Sequence, residues 1–171
     1  MDELSLSTLA NMAEIIGAGS IIAGLTFGWF QLRFFRAQQR DAVAINLMQT
    51  FYDRDLAQAI ALLEPLPDGI RLAEMREKGV EYVKAAITIT TSFETMGLLV
   101  FRRIATMDLV LDLAGGIVTT MNRKLGNYQN DMRESQDQPS WGEWFEWLAD
   151  QAEKSNHLAT PAHIKHGDWK Q

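Results

Sequence analysis

The side chains able to do chemistry in this chain are few and scattered. It has no cysteine, which removes thiolate nucleophiles, thiolate metal sites and disulfides. All three histidines, His157, His163 and His166, fall in a polar tail over residues 155–171, with Asp168 beside them. A His-x-x-His pair in such a tail can take up a metal ion adventitiously; a plain polar tail is the simpler reading. Gly115-Gly116 has no strand before it and no phosphate-loop lysine after it, so it is not a nucleotide signature. A carboxylate-bridged di-iron bundle needs Glu-x-x-His pairs, and none is present. Glu14 reads either as an ion or proton site or as an exposed acid at a helix start, favoured by the helix dipole. The most specific spacing is one of packing. Gly17, Ser20, Gly24 and Gly28 fall three, four and four apart, which lines one helix face with small residues. This small-xxx-small pattern lets two helices approach closely in lipid, although glycine is common in membrane helices anyway.

The element that must carry that face is Ile15–Leu32. It contains no charge, and its only polar side chains are Ser20, Thr26 and Gln31. As a helix it is about 27 Å long, close to the hydrocarbon thickness of a bilayer. Three acids and no base lie in residues 1–32, and three arginines follow in 33–40. An acidic start without a small-residue cleavage site is not a secretory signal. The charge asymmetry predicts a single-pass anchor in the bacterial inner (cytoplasmic) membrane, N-terminus outside and the rest cytoplasmic. Trp29, Phe30, Phe34 and Phe35 read as an aromatic belt at the inner interface, with Arg33, Arg36 and Arg40 as snorkelling anchors.

The expected organisation is an extracytoplasmic lead over residues 1–11, an anchor over 12–35, a helical cytoplasmic domain over 36–154, and the tail. Ser7, Thr8 or Asn11 is placed to cap the anchor helix. The chain is 171 residues long with 47% apolar residues and a net charge of −6. That suffices for one small core, and an acidic body argues against nucleic acid. Stripes at helical spacing (Val43, Leu47, Phe51; Met48, Tyr52, Leu56, Ala59, Leu63) continue the helix through 36–63, as one rod or as two pieces with Asp53 capping the second. Glu64-Pro65-Leu66-Pro67-Asp68-Gly69 is a turn. A short helix over 70–78 ends at Gly79, and another spans 80–104. The latter includes Ala85–Phe101, the one rival for a second span. Glu94 interrupts it and Arg102-Arg103 close it, so a buried core helix is the better reading. Thr106 or Asp108 caps a helix over 107–124, which Gly126 stops, and residues 127–138 read as polar and mobile, with room for a helical turn around Tyr128 to Arg133. Ser140 with Glu143 makes a capping box for a last helix. On it Trp141, Trp144, Phe145 and Leu148 share a face, and Trp147 adds to its aromatic content. The acidic polar face argues against insertion in lipid and for docking on the domain's own core or on a partner protein.

Taken together, Phe93-Glu94, Gly97-Leu98-Leu99-Val100, Met107-Asp108-Leu109-Val110, the polar Tyr128–Arg133 stretch and Trp144-Phe145-Glu146-Trp147-Leu148 follow an N-terminal anchor with an aromatic-basic exit. Over roughly residues 10–150 this resembles a small bacterial family known only as domain of unknown function 4760. The resemblance implies a helical, membrane-anchored bacterial protein. It carries no activity, so no functional residue transfers. In that setting Glu94 and Arg133 are candidates for a buried carboxylate–arginine pair with a clamping role.

The fold expected is all-α, one N-terminal transmembrane helix continuing into a small cytoplasmic bundle. The function expected is non-catalytic. The chain would be an accessory or assembly subunit of a larger membrane complex, or a self-associating scaffold. Its partners would be the lipid bilayer and other membrane subunits or itself through the anchor, with no nucleic acid and no cofactor or metal. The alternative from another class is an oligomeric single-span channel or transport component, with Glu14 as a ring at its outer mouth. An enzyme would need a nucleophile, base or metal set that the body lacks.

Overall fold

The computed structural model describes residues 6–51, 53–155 and 160–170. Side chains are described from residue 11 onward, and within 36–51 only for Gln38, Ala42, Ile45, Leu47 and Gln49. Ser7, Thr8, Arg36, Arg40, Val43, Met48, Phe51, Tyr52 and His157 therefore lie outside the described side chains. The chain is all-α, an N-terminal apolar helix followed by a helical region, with no strand among the described residues. It divides into two compact units, residues 1–42 and 43–171.

The first unit is the greater part of α1 (Leu6–Phe51). Within it Asn11–Phe35 is long and apolar enough to cross a membrane, and none of its apolar window is buried. Ile15, Ile22, Leu25, Phe27 and Trp29 are all more than 60% exposed. The Ser20 hydroxyl donates to Ile16 O (2.8 Å) and Thr26 to Ile22 O (2.8 Å). Both hydroxyls are thus satisfied inside the helix, which suits them to surroundings without water.

The second unit contains α2 (Arg54–Leu63), α3 (Leu72–Lys78), α4 (Val80–Phe101), α5 (Met107–Gln136), α6 (Glu143–Lys154) and the short α7 (Ala162–Lys165). α4 sits at its centre, packed against α2, α3, α5 and α6. It also passes the length and composition test for a span, yet 44% of its apolar window is buried within the unit, where Ile89, Phe93 and Met96 fill the core. The β-branched run from Ile87 to Thr91 is helical throughout, because tertiary burial overrides a weak strand preference.

Local signals place the other helices. Asp53 caps α2 by accepting from Asp55 N (2.7 Å) and Leu56 N (3.2 Å), and Thr106 caps α5 by accepting from Leu109 N (3.3 Å). The Pro65–Gly69 turn is pinned to the middle of α5. Gly69 and Ile70 donate to Arg123 O and Lys124 O (both 3.1 Å), Asn127 donates to Gly69 O (2.7 Å), and Arg123 pairs with Asp68 (2.7 Å). The buried Lys124 ammonium donates to Leu66 O.

Two expectations need correction here. α5 does not stop at Gly126 but runs to Gln136, so 127–136 is continuous helix rather than mobile chain with a single turn. Glycine inside a helix costs about 1 kcal/mol. Burying Tyr128 and Met132 on the far side of it outweighs that cost. The helix ends instead at Asp137, in the left-handed conformation (φ 50°). The Ser140–Glu143 capping box does not form either. α6 begins after Gly142 (φ 69°), with no side-chain cap from its own segment.

Candidate functional site

The start of α6 is held by two side chains from other helices. Glu94, in the middle of α4, accepts from Trp144 N (3.0 Å) and Phe145 N (2.9 Å). It thereby supplies the cap that Gly142 cannot, and its charge lies at the positive end of the α6 dipole. Arg133 of α5 donates from Nε to Trp141 O (2.8 Å), from Nη1 to Asn130 Oδ1 (3.1 Å) and from Nη2 to Glu146 Oε2 (2.6 Å). The expected Glu94–Arg133 pair is therefore not a direct one. Each residue takes a different part of α6, Glu94 its free N–H groups and Arg133 the preceding carbonyl and a carboxylate. Burial pushes the Glu94 carboxyl above its ordinary 4.5; the two backbone donors and Arg133 pull it back, and Glu143 adds to the rise. On α5 the buried Tyr128 phenol is pushed up to about 12, again by burial, with Arg76 opposing the rise.

The approach of α4 and α6 is set by Gly97, one turn beyond Glu94. A Cβ there would lie 2.2 Å from Trp144 O and 2.7 Å from Trp144 C. Only glycine lets the two backbones meet this closely. Around that contact the aromatic side chains sort into two groups. Phe145 is fully buried with its ring 5.1 Å from Phe93, and Leu148 is buried beside it. Trp144 and Trp147 are half-buried and pack on Phe101, at ring separations of 4.4 and 5.9 Å. Of the α6 residues expected to dock on a partner, Phe145 and Leu148 are thus spent on the core. Trp141 packs against it too, and Trp144 and Trp147 keep a surface.

Elsewhere, Gly17, Ser20, Gly24 and Gly28 lie on one face of α1, and a Cβ on any of the three glycines would meet nothing within 4 Å. Trp29, Phe30, Arg33, Phe34 and Phe35 are exposed at the end of that segment. His163 and His166 are exposed in and just after α7, and no group of three or more potential metal ligands occurs among the described residues. Two open grooves, of about 330 Å³ between α2 and α4 and about 450 Å³ between α3 and α5, are lined by mixed charges, Glu81 and Lys84 in one, Arg76 and Asp131 in the other. Sequence reasoning named Gly97 and Phe101 but gave neither its packing role against α6. The signal was present, because Glu94, Gly97, Leu98 and Phe101 recur at three, four and seven and so share one face of α4.

Neither a curated protein nor a solved structure matches the chain. One family model does, over residues 18–152, a span that takes in most of the apolar helix, the Glu94–Gly97 face and α6 as far as Ala152. By that match the chain belongs to the family described as domain of unknown function DUF4760.

Proposed function

We propose that this chain is a membrane-anchored, non-catalytic interaction protein of the bacterial inner membrane. It acts as an accessory or assembly subunit of a larger complex or as a self-associating scaffold, with the N-terminus outside and the body in the cytoplasm. The observation that carries the reading is the state of α1 over Asn11–Phe35. Its apolar surface is exposed throughout, its hydroxyls are satisfied internally, and the positions around Gly17, Gly24 and Gly28 are open. A helix of that kind is at home in lipid and offers a close-packing face to a second helix. The charge step from Asp2, Glu3 and Glu14 to Arg33, Arg36 and Arg40 supports the orientation.

The test is co-purification from the native membrane in mild detergent, with mass identification of what accompanies the chain. A fixed larger species supports an accessory role, and a ladder of identical subunits after cross-linking supports a scaffold. Gly24→Leu with Gly28→Leu should abolish either association while leaving membrane insertion intact. A chain that stays monomeric and captures nothing would overturn the reading.

A further inference from the structure

Where α4 ends, the body presents a cluster of exposed apolar and basic side chains. Phe101 and Ile104 are each about half exposed (51% and 54%), Leu98 is 38% exposed, and Trp144 and Trp147 flank Phe101. Arg102 and Arg103 lie between these apolar residues and are exposed, and no acid occurs from Leu98 to Ala105. Arg103 takes the left-handed conformation (φ 57°) that closes α4, and Ile104 N then donates back to Leu99 O (3.0 Å). The body bears net negative charge, so two adjacent arginines framed by phenylalanine, isoleucine and tryptophan run against its general character. On α6, Glu146 pairs with Arg133 and Asp150 with Lys154. Glu143 is the remaining acid of that helix's first turn.

The position of this tip within the body adds a second observation. Leu47 lines a cleft with Thr91, Thr95 and Leu99, whereas Gln58 and Leu62 line one with Lys84 and Thr88. As the chain advances from 47 to 62, its contacts move back along α4. The chain therefore enters the body antiparallel to α4, and the C-terminal tip of α4 lies at the entry end. Only seven residues, 36–42, lie between Phe35, the last of the apolar stretch, and Val43, where the body begins. The eight Cα-to-Cα steps reach at most about 29 Å.

We propose that the tip formed by Leu98, Phe101, Arg102, Arg103, Ile104 and the Trp144–Trp147 pair docks on the anionic surface of the bilayer that holds the anchor. The aromatic and aliphatic side chains would enter the headgroup boundary, and the two guanidiniums would take lipid phosphates. Aromatic rings with a polar edge favour that boundary, and arginine meets phosphate through paired N–H donors. This rests on the anchor reading above.

The full chain has no native cysteine, so single labels can be placed at will. Ile104→Cys, Glu77→Cys on the exposed face of α3 and Leu25→Cys in the anchor would each carry an environment-sensitive fluorophore. The labelled chains would be reconstituted in vesicles containing bromolipid, with or without phosphatidylglycerol. Docking predicts strong quenching at 104 in anionic vesicles, strong quenching at 25 in both, and none at 77. Arg102→Gln with Arg103→Gln should lower the docked-to-undocked ratio about 30-fold, at roughly fivefold per arginine near an anionic surface. Purely zwitterionic vesicles should reproduce that loss. Quenching at 25 but not at 104 overturns docking and leaves the anchor standing. Absence of quenching at 25 removes the anchor reading and the docking with it. Quenching at 104 that ignores lipid charge and the double substitution overturns the role of the arginines. Shielding of 104 from aqueous iodide that grows with protein density, without bromolipid quenching, assigns the surface to a second copy instead.

Discussion

Two glycine-bearing helix faces in this molecule use the same device in opposite states. On α4, Gly97 is occupied, since the Trp144 backbone lies where its Cβ would be. On α1, Gly17, Gly24 and Gly28 have the same absence of side chain and nothing beside it. The difference shows what a small residue does in each setting. In the body, closeness is already used to seat α6, and polar groups from Glu94 and Arg133 fix it there. In the apolar helix no described residue uses the closeness that the glycines offer, so the first face belongs to folding and the second is the one proposed for association.

The largest effect should come from filling the occupied face. Gly97→Ala gains up to about 1 kcal/mol of helix propensity. It also drives a methyl into the Trp144 carbonyl, and overpacking against backbone outweighs that gain. A net loss of about 2–3 kcal/mol in denaturant unfolding of the full chain in detergent is expected. An unchanged midpoint would mean that α4 and α6 do not meet at this residue.

Removing the cap comes next. Glu94→Ala leaves two N–H groups at the start of α6 without an acceptor and should cost about 2 kcal/mol at neutral pH. Glu94→Gln keeps one acceptor oxygen and should cost less than half of that. Its pH dependence distinguishes the two forms of the site. The Glu94 pKa is raised in the folded chain, so the folded state holds this proton more tightly than the unfolded state does. The associated stability is present below the ordinary 4.5 and lost as pH rises through the raised value. The advantage of the native chain over Glu94→Gln should therefore grow on acidification through that window. A gap that shrinks instead would show that the hydrogen bonds, and not burial, dominate the carboxyl.

Arg133→Met is the third. It removes the donor to Trp141 O and the pair to Glu146, whose carboxylate is 58% exposed and easily resolvated. The loss should be about 1 kcal/mol, nearly all of it from the carbonyl. A double substitution with Glu94→Ala should exceed the sum of the two single losses, because both grip the same helix start.

Much of this architecture was legible in the sequence, and what was not has a common cause. The apolar stretch, the Pro-Gly turn, the helix expected over 80–104 and found over 80–101, and the caps Asp53 and Thr106 are local signals, and local chemistry decided them. The misreadings at Gly126 and at Ser140–Glu143 were also local, but there contacts distant in sequence won. Asn127 is held by Gly69, 58 residues away, and α6 is capped by a carboxylate 50 residues away. A carboxylate in an apolar helix was visible as an interruption. That it serves as another helix's cap depends on a packing partner that no periodicity displays.

The smallest effect expected is the most informative for the open face. Gly24→Leu with Gly28→Leu places two large side chains where nothing lies within 4 Å, and it raises helix propensity. The unfolding midpoint of the body should stay within about 0.5 kcal/mol of the native chain, as for substitutions that touch no packed neighbour. Association in the membrane should nonetheless be lost. The two measurements have to diverge for the comparison to hold. If the body is destabilised as well, the glycines already have a partner inside the chain and resemble Gly97. If neither changes, the small residues of α1 are incidental, and partnership has to be sought on the exposed apolar side chains instead.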